Sequence, residues 1–356
     1  MNGRRGGLVG AAVGLAGVGA YAGLAAERLV VGRTRLRPDP EAREPFFALP
    51  VDRSATVRTE DGVDLHVEQL GPDEAPLTVV LVHGYTHQSA LWHYQRRSLV
   101  ADNPGRVVLY DQRGHGRSSR GAPERSTIDQ LGHDLGAVLD AMAPTGEIVL
   151  AGHSMGGMTI MALADSRPEL FAPGGRVVGV ALISTSTGKL AELTLGLPTA
   201  ITPVTRRVMP WLTRTARRRP EFFERGRRVG TDLAFLLTRH GGFGDGDVSP
   251  ALVAFTEQMV AATPVEVLAE FYDSFVDHDK LDAIEVLRDV EVLILVGSRD
   301  LLTPVSHSKA MAEFLPDAEL VVVEGAGHMV LLEQPSLVTL RLRTLIARAG
   351  RVAART

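Results

Sequence analysis

The sequence predicts an α/β fold with a mostly parallel, doubly wound sheet. Apolar runs without alternation recur along the chain, which is typical of strands covered on both faces. Helical stretches separate these runs, for example residues 127–142 and 154–166. The 356 residues, 45% hydrophobic and 22% charged, are sufficient to bury a large core. Strands and helices that alternate in this way indicate an α/β architecture.

The elements follow in a simple order. Two alternating stretches flank Asp61-Gly62, which favours a hairpin near the start. A last helix is expected from about Ser336. The predicted buried strands are LTVVLVH (77–83), RVVLY (106–110), EIVLAG (147–152), RVVGVALIS (176–184), VEVLILVGSRD (290–300) and AELVVVEGAGH (318–328).

The strand–helix alternation stops near Ser186 and resumes after about Asp282. The intervening chain has helical periods and Pro and Gly punctuation. We expect an insertion rather than a separate domain, because the sheet pattern resumes after it. Such an insertion can cover the carboxyl ends of the strands, where open α/β sheets bind ligands. The expected organisation is an N-terminal segment, a first core part, a helical cap and a second core part, at residues 1–37, 38–186, 187–282 and 283–356.

The N-terminus carries a long apolar run. Residues 8–26 contain 19 residues without a charge, which is enough to cross a bilayer as a helix at about 1.5 Å per residue. A membrane anchor, a cleaved signal peptide and a buried or amphiphilic helix of a soluble protein all fit this run. We therefore expect a membrane-associated or exported protein, with the cytoplasm as the alternative. Residues 37–50 carry four prolines and predict a linker.

Composition excludes several classes of site. The absence of cysteine excludes disulfides, thiolate metal sites and a cysteine nucleophile. A formal net charge of −4 gives no overall signal for nucleic acid. His83, His87 and His93 are close in sequence, but loop packing or substrate contact is favoured over a metal site. Residues 205–228 hold nine arginines and two glutamates with interleaved aromatics. They predict either an exposed face of the cap or contact with an anionic membrane or acidic substrate.

A serine stands in a glycine-rich turn after a predicted strand. Residues 152–157 read GHSMGG and follow the apolar run 147–151. The pattern G-x-S-x-G forms a tight strand-to-helix turn that lifts the serine hydroxyl clear of the sheet. The following helix also directs free backbone N–H groups at the site. Ser154 is therefore the predicted nucleophile, with a turn serine as the alternative.

A base and an orienting acid are expected after later strands, in the order Ser, Asp or Glu, His. Asp300 stands four residues beyond Val296 of a predicted strand. His328 stands five residues beyond Val323, in a Gly-rich turn. A helix-capping aspartate and a surface histidine are the alternatives. The positions and their order agree with a catalytic triad.

An oxyanion hole needs two donors. The backbone N–H of Met155, directly after the serine, is the first candidate. The second should come from the loop after the strand at 77–83, where Tyr85 follows His83-Gly84. Packing alone is the alternative role for Tyr85.

At this point the chain resembles the α/β hydrolase superfamily, in the branch of serine esterases and lipases with a helical cap. The matching stretches are HGYTHQSALW, YDQRGHGRSS, GHSMGG, GSRDLLTP and GAGHMVLLEQP, and the resemblance runs from about residue 54 to 347. It implies a serine hydrolase that cleaves carboxylic esters without metal or cofactor. The expected cap is rich in Leu, Val and Phe, which favours an apolar or lipid-like ester. Membrane contact would involve residues 8–26 and the Arg-rich part of the cap; nucleic acid is not an expected partner.

The same motifs leave alternatives open. Relatives that are epoxide hydrolases or dehalogenases carry aspartate at the position of Ser154, which makes those activities unfavourable here. Thioesterases, acyltransferases, perhydrolases and proline iminopeptidases use a similar triad. An iminopeptidase would need a carboxylate in the cap, for which Glu266, Glu270 and Asp273 are candidates. A membrane-anchored binding protein on a hydrolase fold is the non-enzyme alternative.

Overall fold

The predicted α/β fold is confirmed by an eight-stranded, mostly parallel sheet. The computed structural model describes residues 39–101, 105–190, 213–218, 221, 231–244 and 247–353. The sheet order is β1-β2-β4-β3-β5-β6-β7-β8, and only the pairings of β2 with β1 and β4 are antiparallel. The strands are β1 Arg53–Arg58, β2 Asp64–Leu70, β3 Leu77–Val82, β4 Arg106–Tyr110, β5 Glu147–His153, β6 Val177–Ile183, β7 Glu291–Gly297 and β8 Glu319–Val323.

The helices of the described residues flank this sheet or lie in the chain between β6 and β7, which we call the insertion. Two of these α-helices precede β5, and one lies between β5 and β6. They are α1 His93–Ala101, α2 Ile128–Met142, α3 Met155–Ser166, α4 Thr231–Gly242, α5 Pro250–Ala262, α6 Val265–Val276, α7 Val305–Phe314, α8 Val330–Glu333 and α9 Pro335–Ala353.

The core consists of two apolar layers, one on each face of the sheet. Leu99 of α1 and Leu342 of α9 belong to one layer, whereas Leu135 of α2, Ile160 of α3 and Met311 of α7 belong to the other. The central strands are buried along almost their whole length. This burial explains why their sequences show continuous apolar runs instead of alternation. The six buried strands and the hairpin predicted from the sequence agree with this sheet.

The segment at residues 39–50, predicted as a linker, is packed against the protein. Asp39 caps helix α5: its carboxylate accepts bonds from the Ser249 hydroxyl (2.7 Å) and from the Ala251 N–H (2.8 Å). The Phe46 ring stacks on Phe255 of the same helix, with ring centroids 4.4 Å apart. Glu44 contacts Nε2 of His93 on α1 at 3.0 Å. The segment therefore connects a helix of the insertion with a helix of the core.

The apolar run at residues 8–26 lies outside the described residues, as do residues 205–212, 219–220 and 222–228 of the Arg-rich stretch. Within the part of the chain that the structure describes, no single helix has the length and apolarity to span a membrane. Helices α5 and α6 are long and apolar enough only when they are taken together, and a 92° bend separates them.

Replacing Phe46 by alanine should weaken the attachment of α5. We expect Phe46→Ala to lower the free energy of unfolding by about 2 kcal/mol, less than the 3–5 kcal/mol typical of a fully buried phenylalanine. Urea unfolding measures the change. Phe47→Ala is the comparison, because the ring of Phe47 meets Phe255 only at an edge, 5.0 Å between centroids, and Phe47 is 49% exposed. Its loss should cost under about 1 kcal/mol. Equal losses in the two variants would contradict the stacking contribution.

Candidate active site

Ser154 stands at a strained turn between β5 and α3. Its backbone has φ 52° and ψ −118°, a conformation that is costly for a residue with a side chain. The turn is held by two hydrogen bonds: the Ser154 N–H donates to the Ile183 carbonyl (2.9 Å), and its own carbonyl accepts from Thr185 Oγ1 (2.7 Å). Ser154 itself is partly exposed, whereas His153 and Met155 on either side of it are buried.

The glycines of GHSMGG allow this turn to form. A Cβ at Gly156 would lie 2.2 Å from the carbonyl oxygen of Val82 at the end of β3. A Cβ at Gly152 would lie 2.5 Å from backbone atoms of Gly156. The first turn of α3 therefore packs directly on β3 and β5, which no larger residue would permit.

Asp300 and His328 are brought together from the loops after β7 and β8. The Nδ1 atom of His328 lies 3.0 and 3.1 Å from the two carboxylate oxygens of Asp300, and both residues are buried. Because a carboxylate only accepts, Nδ1 is the protonated nitrogen, which leaves the lone pair of the neutral imidazole on Nε2. Asp300 and His328 are thus adjacent in the fold, although 27 residues stand between them in the sequence.

Thr303 completes the surroundings of Asp300. Its N–H donates to Asp300 Oδ1 and its hydroxyl to Oδ2, both at 2.8 Å. Burial raises the pKa of the Asp300 carboxyl, but the contacts with His328 and Thr303 outweigh it and hold this pKa below its ordinary value. Asp300 is therefore ionised at neutral pH. The sequence analysis missed Thr303, although an Asp followed three residues later by Thr is a recognisable turn pattern.

His153, the residue before Ser154 in the serine turn, connects Ser154 with the His328 loop. Nε2 of His153 lies 3.0 Å from the carbonyl oxygen of His328, and the two rings are 4.9 Å apart between centroids. Burial, together with the nearby His328, lowers the pKa of His153 to about 3. His153 is therefore neutral and donates from Nε2. Its position within the motif carried no signal for this contact.

Tyr85 lies on the loop after β3, beside the turn at Ser154. A Cβ on the preceding Gly84 would be only 3.1 Å from Cβ of Ser154, so this loop packs on the serine. The Tyr85 hydroxyl donates to the carbonyl of Leu268 in α6 at 2.6 Å. The side chain is therefore engaged with the insertion, and the oxyanion role predicted for Tyr85 concerns its backbone N–H alone. Met155, the other expected donor, occupies the first position of α3.

The remaining histidines do not converge on a metal site. His83 accepts the Gln112 N–H at Nε2 (2.9 Å) and contacts the Gly84 carbonyl through Nδ1 (2.7 Å), so it supports the loops. His93 contacts Glu44. His87 is buried beside His153, and burial lowers its pKa far below the ordinary value. Among the described residues no group of three or more His, Asp or Glu could hold a metal ion.

The loop DQRGHGRS is a structural turn. Arg113 is 1% exposed and forms bonds of 2.6 Å to Asp134 of α2 and of 2.9 Å to Asp61 of the hairpin. These bonds hold the pKa of Asp61 at about 2. A Cβ at Gly116 would collide with the carboxylate of Asp111, which caps the turn. The loop thus fastens the hairpin to the core.

Two of the three candidate carboxylates of the insertion, Glu270 and Asp273, are engaged by arginines, whereas Glu266 lies partly exposed in the first turn of α6. Glu270 is buried, pairs with Arg120 and accepts a bond from the Ser126 hydroxyl (3.1 Å). Asp273 lies 3.1 Å from Arg217. Both carboxylates line a polar cavity of 370 Å³ between α6 and the start of α2. The contacts of Glu270 with Arg120 and Ser126 attach the insertion to the core, whereas the Arg217–Asp273 pair lies within the insertion.

Comparisons with known proteins identify the family of this chain. The sequence model of the Alpha/beta hydrolase family matches residues 79–341. Lipase LipV of Mycobacterium tuberculosis is 39% identical over 110 residues, which cover 31% of this chain and 40% of that lipase. The bifunctional esterase/perhydrolase DCH of Acinetobacter calcoaceticus is 26% identical, covering 76% of this chain and 92% of that protein. A thermophilic esterase from Thermogutta terrifontis superposes with a TM-score of 0.65 at 26% identity, over 83% of this chain and 99% of that chain. This chain therefore belongs to the α/β hydrolase family.

Proposed function

We propose that this protein is a serine hydrolase that cleaves carboxylic esters through an acyl-enzyme on Ser154. The observation that supports this most directly is the buried Asp300–His328 pair, with bonds of 3.0 and 3.1 Å. His153, the residue before Ser154, donates to the carbonyl of His328 and so joins the His328 loop to the serine turn. The similarity to an esterase over 83% of this chain supports the same class of reaction.

Acylation begins when Ser154 Oγ attacks the ester carbonyl and His328 Nε2 takes the hydroxyl proton. Asp300 holds the imidazole in the Nδ1–H tautomer and stabilises the imidazolium. The backbone N–H groups of Met155 and Tyr85 bind the oxyanion, a contribution of roughly 3–4 kcal/mol per donor in other enzymes. The tetrahedral intermediate collapses, the C–O bond to the alcohol breaks, and His328 protonates the departing alkoxide.

Deacylation repeats these steps with water. His328 removes a proton from a water molecule as its oxygen attacks the acyl carbon. The bond to Ser154 Oγ breaks, the serine regains its proton from His328, and the carboxylic acid leaves. The whole cycle uses only side chains and backbone groups of this chain.

An apolar ester suits the surroundings of the serine. Met155, Phe271 of α6 and neighbouring aliphatic side chains form one apolar cluster. Tyr85 packs against this cluster, with its ring 4.8 Å from that of Phe275. Met155 and Phe271 are fully buried, whereas the partly exposed Tyr85 and Phe275 can offer apolar contact to an acyl chain. We therefore propose an apolar or lipid-like acyl ester, with α6 as part of a cap over the site.

Perhydrolysis is a second candidate, favoured by the similarity to an esterase/perhydrolase over 76% of this chain. Here hydrogen peroxide takes the place of water. Its oxygen attacks the acyl-enzyme, the bond to Ser154 breaks, and a peracid leaves. Peracid formation measured beside ester hydrolysis, at equal acyl donor, separates the two reactions.

Replacing the nucleophile should abolish hydrolysis. We expect Ser154→Ala to reduce kcat on p-nitrophenyl esters by at least about 10³-fold, because a missing nucleophile removes the acyl-enzyme route. A series from acetyl to palmitoyl esters also measures the preferred chain length. Ser166→Ala, at the far end of α3, is the control and should retain full activity. Equal activity in Ser154→Ala and wild type would refute the proposed nucleophile.

Neutralising Asp300 should impair catalysis while leaving the fold intact. In Asp300→Asn the amide no longer enforces the Nδ1–H tautomer of His328, so we expect kcat to fall by about 10³–10⁴-fold. Single-turnover labelling of Ser154 by a fluorophosphonate should slow in parallel. The exposed Asp317, changed to Asn, is the matched control. An Asp300→Asn enzyme with wild-type kcat would remove Asp300 from the mechanism.

The proposed role of Tyr85 rests on its backbone, so its hydroxyl should be dispensable for catalysis. Tyr85→Phe loses only the bond to Leu268, and we expect kcat to change less than about threefold. The free energy of unfolding should fall by about 1 kcal/mol, the usual contribution of one hydrogen bond. Steady-state kinetics and urea unfolding measure both. A loss of kcat beyond about 100-fold would instead make the hydroxyl an oxyanion donor.

A further inference from the structure

One carboxylate bridges the His328 loop and the insertion. Glu333, at the end of α8, accepts the N–H of Gly327 at Oε1 (2.7 Å) and the N–H of Gly244 at Oε2 (2.8 Å). Gly327 directly precedes His328, and Gly244 follows the end of α4. The two donors therefore come from parts of the chain that are far apart in sequence.

The two backbones also touch without intervening side chains. A Cβ at Gly244 would lie 1.9 Å from the carbonyl oxygen of Gly325, and a Cβ at Gly327 would lie 2.5 Å from Phe243. The N–H of Met329 donates to the carbonyl of Gly242 at 2.7 Å. The end of α4 is thus in direct contact with the residues on both sides of His328.

The core holds the same loop from the opposite side. His153 donates to the carbonyl of His328, and the Arg299 N–H donates to the carbonyl of Ala326 at 2.8 Å. The core contacts therefore fix the carbonyl of His328 itself. The N–H of Gly327, one residue before His328, is held by Glu333. We therefore expect the orientation of the imidazole to depend on both sets of contacts.

We infer that Glu333 is a positioning residue, which sets the orientation of His328 by fastening its loop to the end of α4. A carboxylate suits this place because each of its oxygens accepts one N–H, whereas an amide offers one acceptor and an apolar residue none. Loss of the clamp leaves a backbone donor without a partner. The inference rests on the proposed serine hydrolase function, in which His328 must face both Ser154 and Asp300.

Glu333→Gln tests the clamp in the full-length protein. We expect kcat on the preferred p-nitrophenyl ester to fall roughly 10- to 100-fold, the cost of a small misplacement of a catalytic group, while KM changes less than about twofold. Rates are expressed per fluorophosphonate-titrated site, so a smaller folded fraction does not imitate the effect. Amide hydrogen exchange at Gly244 and Gly327 should accelerate. Glu324→Gln, an exposed glutamate on the same loop, is the matched control and should match wild type in both measurements.

Gly244→Ala makes the same test from the insertion and serves if Glu333→Gln does not fold. Its methyl group would push the two backbones apart, and we expect the same loss of kcat at unchanged KM. Faster exchange at Gly327 with an unchanged kcat would overturn the positioning role. Unchanged exchange at Gly327 would overturn the clamp itself, and this measurement is valid even for an enzyme without esterase activity, because exchange does not depend on catalysis. Inactivity of the wild type on esters would count against the proposed function alone.

Discussion

The candidate site depends on the close approach of helix α3 to strand β3 at the serine turn. A Cβ at Gly156 would lie 2.2 Å from the Val82 carbonyl, so the second residue of the helix can only be a glycine. This contact holds Ser154 at φ 52°, a conformation that an isolated chain would rarely adopt. The strain is offset by the bonds of the turn to Ile183 and Thr185. Without the packing, neither the serine nor the start of α3 would face the site.

The buried carboxylate of Asp300, near this turn, is satisfied by partners close to it in the chain. Asp300 receives three donors from Leu302 and Thr303 in addition to the imidazole, which explains why a carboxylate can remain charged in a buried place. Arg113 pairs with both Asp61 and Asp134. Its bonds lower the pKa of Asp61 to about 2, whereas burial raises the pKa of Asp134. The acid of the proposed triad is thus part of a rigid local network.

The insertion is joined to the core at several distant points. Tyr85 binds the carbonyl of Leu268 in α6, Asp39 caps α5, and Glu333 binds Gly244 after α4. Each contact pairs a core residue, or a residue of the N-terminal segment, with a helix of the insertion. A substrate that displaces α6 would act on the loop of Tyr85, whereas a displacement of α4 would act on the loop of His328. The insertion is therefore coupled to both halves of the proposed machinery.

The strands and the serine turn were predicted from the sequence, because continuous apolar runs and glycine spacing are local signals. The meeting of Asp300 and His328 was predictable because parallel strands present their carboxyl ends at one edge. Only the tertiary structure decided that residues 39–50 pack on α5, that Arg120 engages Glu270, and that Glu333 closes behind His328. Each of these contacts joins residues distant in the chain, and a glutamate on a helix has the same local pattern whether it faces solvent or a backbone N–H.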